Sequence, residues 1–347
     1  MSLEVNIINL RMSHHAGPSG YDRIAQGLQA NPIIPDMRNI PIRIASKLLS
    51  PLISGSGSLW YNRVSMCSEF YAANAWLRNN NQLFHFLYGE NSYRYFGNIR
   101  SLWNRQNKLL CTFHTPIWRL REVVQCEKHY RYLDAVVIMS NSQRDYFVEQ
   151  LDSDRVFFVP HGVDTDYFSP RQELRLSDPP GLRFVTVGYH LRDFEVLAKI
   201  ASALERYHPT ARIDLVARPD RVGLLEGRPN VRCLSGISDA ELLELYQTSD
   251  VLLLPLVDAT ANNSLLEGMA CGLPVVSTDL PGVRDYVSDG CSLLSPIKDA
   301  DAHINAVLDI CEGRVELSSM ARASREKAEE FDWPRVSAML EAVYLTL

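Results

Sequence analysis

The sequence predicts an α/β protein of two doubly wound domains, each a parallel sheet covered by helices. Three observations predict this fold class. The chain has 347 residues, which is more than one hydrophobic core usually organises. Short, continuous apolar runs alternate with helical stretches, as expected for strands buried on both faces of a parallel sheet. Residues 169–182, with three prolines and no hydrophobic period, separate two series of such runs.

The predicted strands are the apolar, β-branched runs of each series. In the first half they are 4–10, 83–88, 108–113, 135–139 and 155–159, and in the second half 183–187, 212–217, 231–234, 251–255 and 274–278.

Helix signals complete the predicted organisation. Ser238 and Glu241 have the spacing of a capping box, residues 300–330 contain two helical patterns, and Pro334 suits the first turn of a closing helix. We therefore expect four segments along the chain: an N-terminal domain over 1–168, a linker over 169–182, a C-terminal domain over 183–330 and a closing helix over 331–347.

Composition and charge exclude several classes of protein. Hydrophobic residues make up 46% of the chain and charged residues 22%, which argues against disorder and fibre formation. The net charge of −6 is uneven, with 17 basic and 14 acidic residues over 1–170 but 18 and 27 over 171–347. The acidic second half argues against nucleic acid as a partner. The mildly basic first half fits an anionic acceptor or a membrane surface, or has no functional meaning.

The cysteines and the apolar runs bear on the compartment. The seven cysteines are odd in number and form no C-x-x-C pattern, which is typical of reduced core thiols in a cytosolic protein. No run of 18 apolar residues occurs, and the first residues lack the pattern of a secretion signal. We expect a cytoplasmic protein. Residues 38–64, where cations are spaced among apolar residues, are either a peripheral contact with the inner membrane face, an acceptor groove or an irregular insertion.

The most informative stretch follows the predicted strand 251–255. Asn262, Asn263, Ser264 and Leu265 have the pattern of a helix start, and the free amides of such a start form an anion site. At the carboxyl end of a parallel sheet this is where diphosphates bind. We therefore predict that these four residues bind a diphosphate.

Glu267 lies about one turn into the same predicted helix, on an otherwise apolar surface. A buried carboxylate there costs several kcal/mol if it has no partners. The two hydroxyls of a ribose are suitable partners. The structural alternative is a glutamate that accepts from local amides or pairs with an arginine.

The residues from Leu266 to Val276, LEGMACGLPVV, closely resemble the E-x7-E signature of retaining glycosyltransferase family 4, also called group 1. The resemblance implies that Glu267, the second glutamate of the signature, binds the ribose of a nucleotide-sugar donor. The first glutamate falls on Ala259, and Asp258 is the candidate substitute. The identity of the transferred sugar stays open for that reason.

Further stretches are similar to the same family. Residues 159–164, with Phe168, resemble the P-N-G-V-D stretch that closes the N-terminal domain. Gly188 resembles the glycine of the V-G-R loop and is therefore a candidate donor-binding residue, but Tyr189 and Phe194 occupy the usual arginine and lysine places. Arg192 is therefore our candidate catalytic cation for the diphosphate, against a surface salt bridge as the alternative. Arg218, after its own strand, is a further candidate for donor binding.

Two features of the N-terminal half also fit the family. The sequence Gly17-Pro-Ser-Gly20 resembles the glycine loop that faces donor and acceptor, so Gly20 is a candidate donor-binding residue, although such a sequence is also an ordinary turn. His114, after strand 108–113, stands where many members keep an active-site histidine, although it is also compatible with a satisfied interior histidine.

Membership of this family would imply the GT-B fold, two Rossmann-like domains facing across a cleft, with the C-terminal helix returning toward the N-domain. The implied activity is a hexosyltransferase that retains anomeric configuration, with a nucleotide-diphosphate sugar as donor and no cofactor. The acceptor would be a glycan, a lipid-linked molecule or a small molecule; polysaccharide biosynthesis is one setting. Three Asp-x-Asp triplets at 152–154, 164–166 and 299–301 lack further ligands at evident spacing, and we expect no metal.

Other classes of protein are open to different degrees. A catalytically silent nucleotide-sugar or glycan-binding protein of the same fold is the main alternative, because Ala259, Tyr189 and Phe194 replace polar family residues. A nicotinamide-dependent enzyme is disfavoured because no G-x-G-x-x-G follows the first strand. A periplasmic two-lobed binding protein conflicts with the expected cytoplasmic location.

Overall fold

The computed structural model describes residues 3–8, 18, 20–36, 38, 44, 47–102, 106–171 and 181–347. Most of the predicted linker 169–182 lies outside the described residues, as do Gly17 and Ser19 of the glycine loop and part of the segment 38–64. The chain forms two compact units. Unit 1 holds the first strand, Gly20–Pro160 and Trp333–Leu347, and unit 2 spans His161–Asp332.

Unit 1 contains a six-stranded sheet in which every neighbouring pair is parallel. Its strands, in the spatial order β2-β1-β3-β4-β5-β6, are β1 (Glu4–Ile8), β2 (Ala30–Ile33), β3 (Gln82–Phe86), β4 (Lys108–Phe113), β5 (Ala135–Ile138) and β6 (Val156–Phe158). Its helices are α1 (Ser50–Ser54), α2 (Arg63–Arg78), α3 (Gly89–Ser92), α4 (Phe96–Leu102), α5 (Ile117–Val123), α6 (Arg144–Val148) and α13 (Trp333–Leu345).

The core of unit 1 is rich in aromatic side chains. Trp76 of α2 packs on Phe84 of β3 and on Phe96 of α4, with ring centroids 5.1 and 5.2 Å apart. Burial of these large side chains is the main source of stability for this unit.

Helix α13 is tied to the sheet of unit 1 by a buried hydrogen-bonded histidine. His85 Nδ1 lies 2.7 Å from the hydroxyl of Tyr344, and its Nε2 lies 2.7 Å from Oγ1 of Thr112. Burial, with a smaller effect of His114, lowers the pKa of His85 to about 3, so this imidazole is neutral at physiological pH.

Unit 2 contains a second six-stranded parallel sheet, in the spatial order β12-β11-β10-β7-β8-β9. Its strands are β7 (Arg183–Val187), β8 (Arg212–Val216), β9 (Val231–Leu234), β10 (Val251–Leu254), β11 (Val275–Thr278) and β12 (Ser292–Ser295). Its helices are α7 (Phe194–Tyr207), α8 (Asp239–Thr248), α9 (Asn263–Ala270), α10 (Pro281–Arg284), α11 (Ala300–Cys311) and α12 (Leu317–Glu329).

The predicted fold class is confirmed, with two strands added. β2 and β12 were not predicted, and both are four-residue strands at an edge of their sheet. The predicted capping box at the start of α8 is present, since Ser238 Oγ accepts from the amide of Glu241 and Glu241 Oε2 accepts from the amide of Ser238.

The boundary between the units differs from the predicted end of the first domain at residue 168. The amide of Val163 donates to the carbonyl of Phe331 at 2.9 Å, and Phe168 packs in the core of unit 2. These contacts group residues 161–168 with unit 2, although the sequence analysis placed them in the N-terminal domain.

Among the described residues, no helix has both the length and the apolar character needed to cross a lipid bilayer.

Candidate functional site

The order of strands in unit 2 identifies where a ligand would bind. β7 and β10 are neighbours in the sheet, although β8 and β9 lie between them in the sequence. The chain therefore reverses its direction of winding between these two strands, and the crevice at the carboxyl ends of such a pair is the general ligand site of open α/β sheets. The segments that follow β7 and β10 contain most of the predicted donor-binding residues.

These two segments are fixed to each other by backbone hydrogen bonds. The amide of Asp193 donates to the carbonyl of Pro255 at 2.9 Å, and the amide of Val257 donates to Leu191 at 3.0 Å. Thr278 at the end of β11 accepts a further hydrogen bond from the amide of Leu256 at 2.8 Å. Hydrogen bonds therefore join the segment after β7, the segment after β10 and the end of β11.

Helix α9 follows the β10 segment and begins with a side-chain cap. Asn262 is the N-cap residue, and its Oδ1 accepts from the amide of Leu265 at 3.3 Å. The predicted donor-binding amide of Leu265 is thus engaged within the protein. First-turn amides have no acceptor inside their own helix, so the anion proposal depends on the amides of Asn263 and Ser264.

Arg192 connects the segment after β7 to the start of α9. Its guanidinium donates to the carbonyls of Val187 and His190, to Oδ1 of Asn262 at 3.2 Å and to Oγ of Ser264 at 2.5 Å. Burial lowers the pKa of Arg192 to about 10, against the opposing effects of Tyr246 and Glu267, so it is charged at neutral pH. Most of its five N–H groups are used inside the protein. The guanidinium therefore holds the helix start in place and adds positive charge beneath it.

Gly188 is the residue that makes room for this arginine. It has a φ of +90°, and a Cβ built on it would lie 2.9 Å from Nη2 of Arg192. A side chain at this position would be strained by the backbone and would displace the guanidinium. Gly188, itself a predicted donor-binding residue, thus makes room for the guanidinium of Arg192.

Glu267 is buried, with 5% of its surface exposed, in the second turn of α9. Its Oε2 accepts a hydrogen bond from the hydroxyl of Tyr246, on helix α8, at 2.9 Å. Burial, followed by the charge of Glu267, raises the pKa of Tyr246 well above its ordinary value, so this hydroxyl keeps its proton and donates. The sequence analysis expected a partner for this carboxylate but did not identify Tyr246.

Ala259, at the position of the first signature glutamate, lies in a buried turn of the backbone. Ala259 is 5% exposed, and its amide donates to Oδ1 of Asp258 at 2.7 Å. A Cβ on Gly282 of α10 would lie 2.0 Å from the carbonyl oxygen of Ala259. Glycine at 282 therefore allows α10 to lie directly against the turn that carries Asp258.

Arg218 does not join the group formed by Arg192 and α9. It is exposed, pairs with Asp220 at 3.0 Å, and lies over the ring of Tyr189 at 5.4 Å from the centroid. Phe194, in the place of the family lysine, begins α7 and packs against the apolar core of unit 2. Arg218 is thus an exposed cation beside the ring of Tyr189. Neither Arg218 nor Phe194 adds a buried cation to the group formed by Arg192 and α9.

The remaining predicted site residues lie in unit 1. Gly20 is buried with a φ of +123° and precedes the 3₁₀ helix Tyr21–Gln26, a conformation that favours glycine. His114 follows β4, with its ring stacked on Tyr88 at 4.7 Å and edge-on to Tyr21 at 4.8 Å. Glu90 accepts from the amide of His114 at 3.1 Å. Sequence analysis missed Glu90, because no spacing in the sequence links it to His114.

The acidic triplets have local structural roles. Oδ1 of Asp299 accepts from the amide of Ala302 and caps α11, while Oδ1 of Asp164 accepts from the amide of Tyr167 in a turn. Asp152 precedes the 3₁₀ helix Ser153–Arg155. Within the described ranges, no group of three His, Cys, Asp or Glu side chains is arranged to hold a metal ion.

The family described as Glycosyl transferases group 1 matches residues 181–312, which contain the β7 segment, the β10 segment and α9. These residues form a group 1 glycosyl transferase domain. The chain is also 28% identical over 256 residues to a phosphatidyl-myo-inositol mannosyltransferase of Mycolicibacterium smegmatis, covering 70% of this chain and 66% of that protein. The chain spans only 51–66% of the length of this protein and of two further curated relatives. Those two are D-inositol 3-phosphate glycosyltransferases of Saccharomonospora viridis and Paenarthrobacter aurescens.

Solved structures show the fold around this group 1 glycosyl transferase domain. Sucrose-phosphate synthase from Thermosynechococcus elongatus superposes with a TM-score of 0.71 at 17% identity, covering 99% of this chain and 98% of that one. The HepE protein of Anabaena, solved in complex with UDP, gives 0.69 at 12% identity, covering 99% and 100%. Together with the two six-stranded parallel sheets, these likenesses confirm the predicted GT-B fold.

Proposed function

We propose that this chain is a retaining glycosyltransferase that moves a hexose-type sugar from a nucleotide-diphosphate sugar to an acceptor hydroxyl. The observation that carries the proposal is the arrangement at the β7/β10 switch point of unit 2. There the start of α9, the charged Arg192 beneath it and the buried Glu267 are held together inside the segment that matches the group 1 family. A helix start with a buried cation favours the diphosphate, and a fixed carboxylate favours the two hydroxyls of a ribose.

The chemistry follows from where charge develops during transfer. As the bond to the sugar breaks, negative charge grows on the leaving phosphate, and preorganised N–H groups stabilise it without reorganising. The amides of Asn263 and Ser264 and the charge of Arg192 serve this purpose in the proposal. Asp258 is proposed to take the place of the missing first glutamate, and His114 to hydrogen-bond a sugar hydroxyl.

Names of the relatives support a sugar transferase and leave the substrate open. Curated relatives are a phosphatidyl-myo-inositol mannosyltransferase and D-inositol 3-phosphate glycosyltransferases, and HepE was solved with UDP. We propose a glycan, a lipid-linked molecule or a small molecule as acceptor. We also propose that transfer needs no metal, so that the rate in the presence of EDTA should equal the rate without it.

The decisive experiment compares nucleotide-sugar binding by Glu267→Ala with binding by the original protein. Titration calorimetry with UDP, GDP, ADP and dTDP sugars should identify one that binds, and the variant should lose about 2–4 kcal/mol of binding free energy, because a buried charged partner is removed. Glu244→Ala, an exposed glutamate on α8, is the matched control and should bind normally. Equal affinity of the Glu267 variant and the original protein would refute the ribose assignment.

A second candidate function is a catalytically silent nucleotide-sugar or glycan-binding protein. Ala259 and Phe194, which replace family polar residues, are both packed against protein and offer the donor sugar no polar group. Release of nucleotide from the bound donor in the presence of a panel of acceptors would exclude this alternative. Binding without any turnover would favour it.

We propose in addition that the chain works in the cytoplasm and touches the inner membrane face through residues 38–64. Exposed apolar side chains in the described part of that segment lie close in sequence to Lys47 and Arg63; they are Ile44, Leu48, Leu52 and Leu59. Apolar residues among cations suit an anionic lipid surface. Cosedimentation with vesicles containing anionic lipid, compared with vesicles of neutral lipid, tests this contact, and equal recovery in both would oppose it.

A further inference from the structure

Leu191, in the turn after β7, has a backbone conformation that leucine rarely adopts. Its φ is +56°, in the left-handed region. Among the described residues, the other non-glycine residues with a positive φ are Asn81 and Lys298. Asparagine tolerates this region, whereas a bulky apolar side chain there is strained. Such strain persists only where the surrounding structure imposes it, and it is concentrated at functional sites.

The segment after β10 holds this turn from one side. An isolated antiparallel bridge pairs Arg192 with Leu256. The residues on either side of Arg192 carry the hydrogen bonds of this pair. The carbonyl of Leu191 accepts from the amide of Val257 at 3.0 Å, and the amide of Asp193 donates to the same segment at 2.9 Å. The backbone of Arg192 is therefore fixed directly after the left-handed residue.

The side chain of Arg192 turns back on the residues that precede it. Its guanidinium donates to the carbonyl of His190, two positions earlier, and to that of Val187, five positions earlier. The chain changes direction between these carbonyls and Arg192, and Leu191 lies at that change. The left-handed turn thus directs the guanidinium onto its own preceding carbonyls.

The same guanidinium is the link to the start of α9. Its Nη2 donates to Oδ1 of Asn262 and to Oγ of Ser264. Oγ of Ser264 in turn donates to the carbonyl of Val187 at 3.1 Å. The carbonyl of Val187 therefore accepts from both Arg192 and Ser264, so a displaced guanidinium would disturb the first turn of α9 as well.

A packing role is the alternative explanation for Leu191. The residue is half-buried, and an apolar side chain in such a place contributes to stability. Packing accounts for an apolar residue but not for the left-handed backbone, since apolar side chains pack equally well in conformations without strain. What the left-handed conformation adds is the direction of the next residue, Arg192.

We propose that Leu191 is a positioning residue for donor binding, whose left-handed backbone aims Arg192 at the start of α9. A cation that is held in place before the ligand arrives stabilises charge on a phosphate without reorganising. The effect on the donor rests on the proposed function. The placement of Arg192 by the turn is independent of that function and is measured separately.

The test compares two replacements of Leu191 in the full-length protein. Valine keeps an apolar side chain, but its branched Cβ disfavours the left-handed region, whereas asparagine loses the apolar side chain and tolerates that region. Titration calorimetry uses the nucleotide sugar that the original protein binds. We expect Leu191→Val to bind it about tenfold more weakly than the original protein does, and Leu191→Asn to bind more tightly than Leu191→Val. A packing role predicts the reverse order, so binding by Leu191→Val that equals or exceeds that by Leu191→Asn would overturn the proposal.

Lys298 supplies a matched control for strain alone. Its φ is +61°, and it is exposed in the turn before α11. Lys298→Val introduces the same branched side chain at nearly the same backbone conformation, so denaturant unfolding should show a loss of stability in both valine variants. Binding of the nucleotide sugar should fall in Leu191→Val and stay normal in Lys298→Val. An equal loss of binding in the two would trace the effect to general destabilisation and overturn the proposal.

The position of Arg192 is measured without any ligand. Its Nε donates to the carbonyl of Val187 at 3.0 Å, and exchange of the Nε proton with solvent is followed by ¹H–¹⁵N NMR, with Arg192→Lys to assign the signal. Exchange should be about tenfold faster in Leu191→Val than in the original protein, and slower in Leu191→Asn than in Leu191→Val. Equal exchange in Leu191→Val and the original protein would refute the placement of Arg192 by the turn. If the original protein binds no nucleotide sugar, the proposed function fails, while this exchange still decides the role of Leu191.

Discussion

The hydroxyl of Tyr246 donates to Oε2 of Glu267 across 2.9 Å, and both side chains are buried. The two residues come from helices α8 and α9, so the carboxylate is fixed by an element outside its own helix. One of its oxygens is thereby occupied before any ligand arrives, and its orientation is set.

Removing that hydroxyl should weaken donor binding. Tyr246→Phe keeps the ring in the core and deletes one hydrogen bond to a carboxylate, which is worth about 1.5–3 kcal/mol. We expect the dissociation constant of the bound nucleotide sugar to rise roughly tenfold or more by calorimetry. Tyr207→Phe, on the exposed part of α7, is the control. An unchanged constant would mean that Glu267 does not depend on Tyr246 for its position.

Adding a methyl group at Gly188 should displace Arg192. The new Cβ would lie 2.9 Å from Nη2, and the φ of +90° is strained for alanine, at a cost of about 1–3 kcal/mol. Gly188→Ala should therefore lower the free energy of unfolding and also weaken binding of the nucleotide sugar that the original protein binds. Gly223→Ala, where a Cβ meets nothing within 4 Å, is the control for both measurements. Normal stability and normal binding in Gly188→Ala would contradict the steric role.

Alanine at 282 should disturb the turn that carries Asp258. A Cβ there would lie 2.0 Å from the carbonyl oxygen of Ala259, so the backbone of α10 or of the turn has to move. Overpacking of this kind typically costs about 1–3 kcal/mol. Thermal denaturation should show the loss in Gly282→Ala and not in Gly290→Ala, whose Cβ would be 3.7 Å from its nearest neighbour. Equal melting temperatures would show that the contact is not tight.

Stability should fall on acidification because of a buried histidine in unit 1. The pKa of His85 is lowered to about 3, below its ordinary value of 6.5, so the unfolded chain binds the proton first. Stability is then fully present above about pH 6.5 and is lost toward pH 3, by about 1.4 kcal/mol for each pH unit. His129, whose pKa burial also lowers to about 3, should add a similar slope.

The measurement is denaturant unfolding between pH 7 and pH 4, compared with His85→Gln. The variant should be less stable at pH 7, yet its stability should depend less steeply on pH, since one of the two protons is no longer taken up. Parallel slopes in the two proteins would rule out His85 as a source of the acid sensitivity.

Strands buried on both faces could be predicted because their apolar runs are continuous. β4 and β7, for example, begin and end at the predicted residues. β2 and β12, with the sequences ANPI and SLLS, could not, because neither contains a continuous apolar, β-branched run. β2 also contains Pro32, which is tolerated at a sheet edge.

The candidate site was predictable where it is local in sequence and not where it joins distant elements. The start of α9 and the burial of Glu267 could be predicted from the sequence of residues 262–267 alone. Both lie in the segment after β10, at the β7/β10 switch point, as that prediction requires. The hydrogen bond from Arg192 to Ser264 joins residues 72 positions apart in the sequence. It depends on the conformation of the turn after β7, which no sequence pattern specifies. Tyr246 and Glu90 were missed for the same reason, since a buried polar residue in a helix carries no sign of what it touches.

Unit 1 is discontinuous along the chain, since it ends at Pro160 and is completed by helix α13. As the polypeptide leaves the ribosome, β3 and β4 emerge long before Tyr344, which supplies the hydroxyl beside His85. The whole of unit 2 is synthesised in between. The first unit to begin folding is therefore the last to finish. Until α13 is made, Nδ1 of His85 lacks the hydroxyl of Tyr344, and the unit lacks apolar side chains of α13, such as Leu340, that are buried in the finished protein.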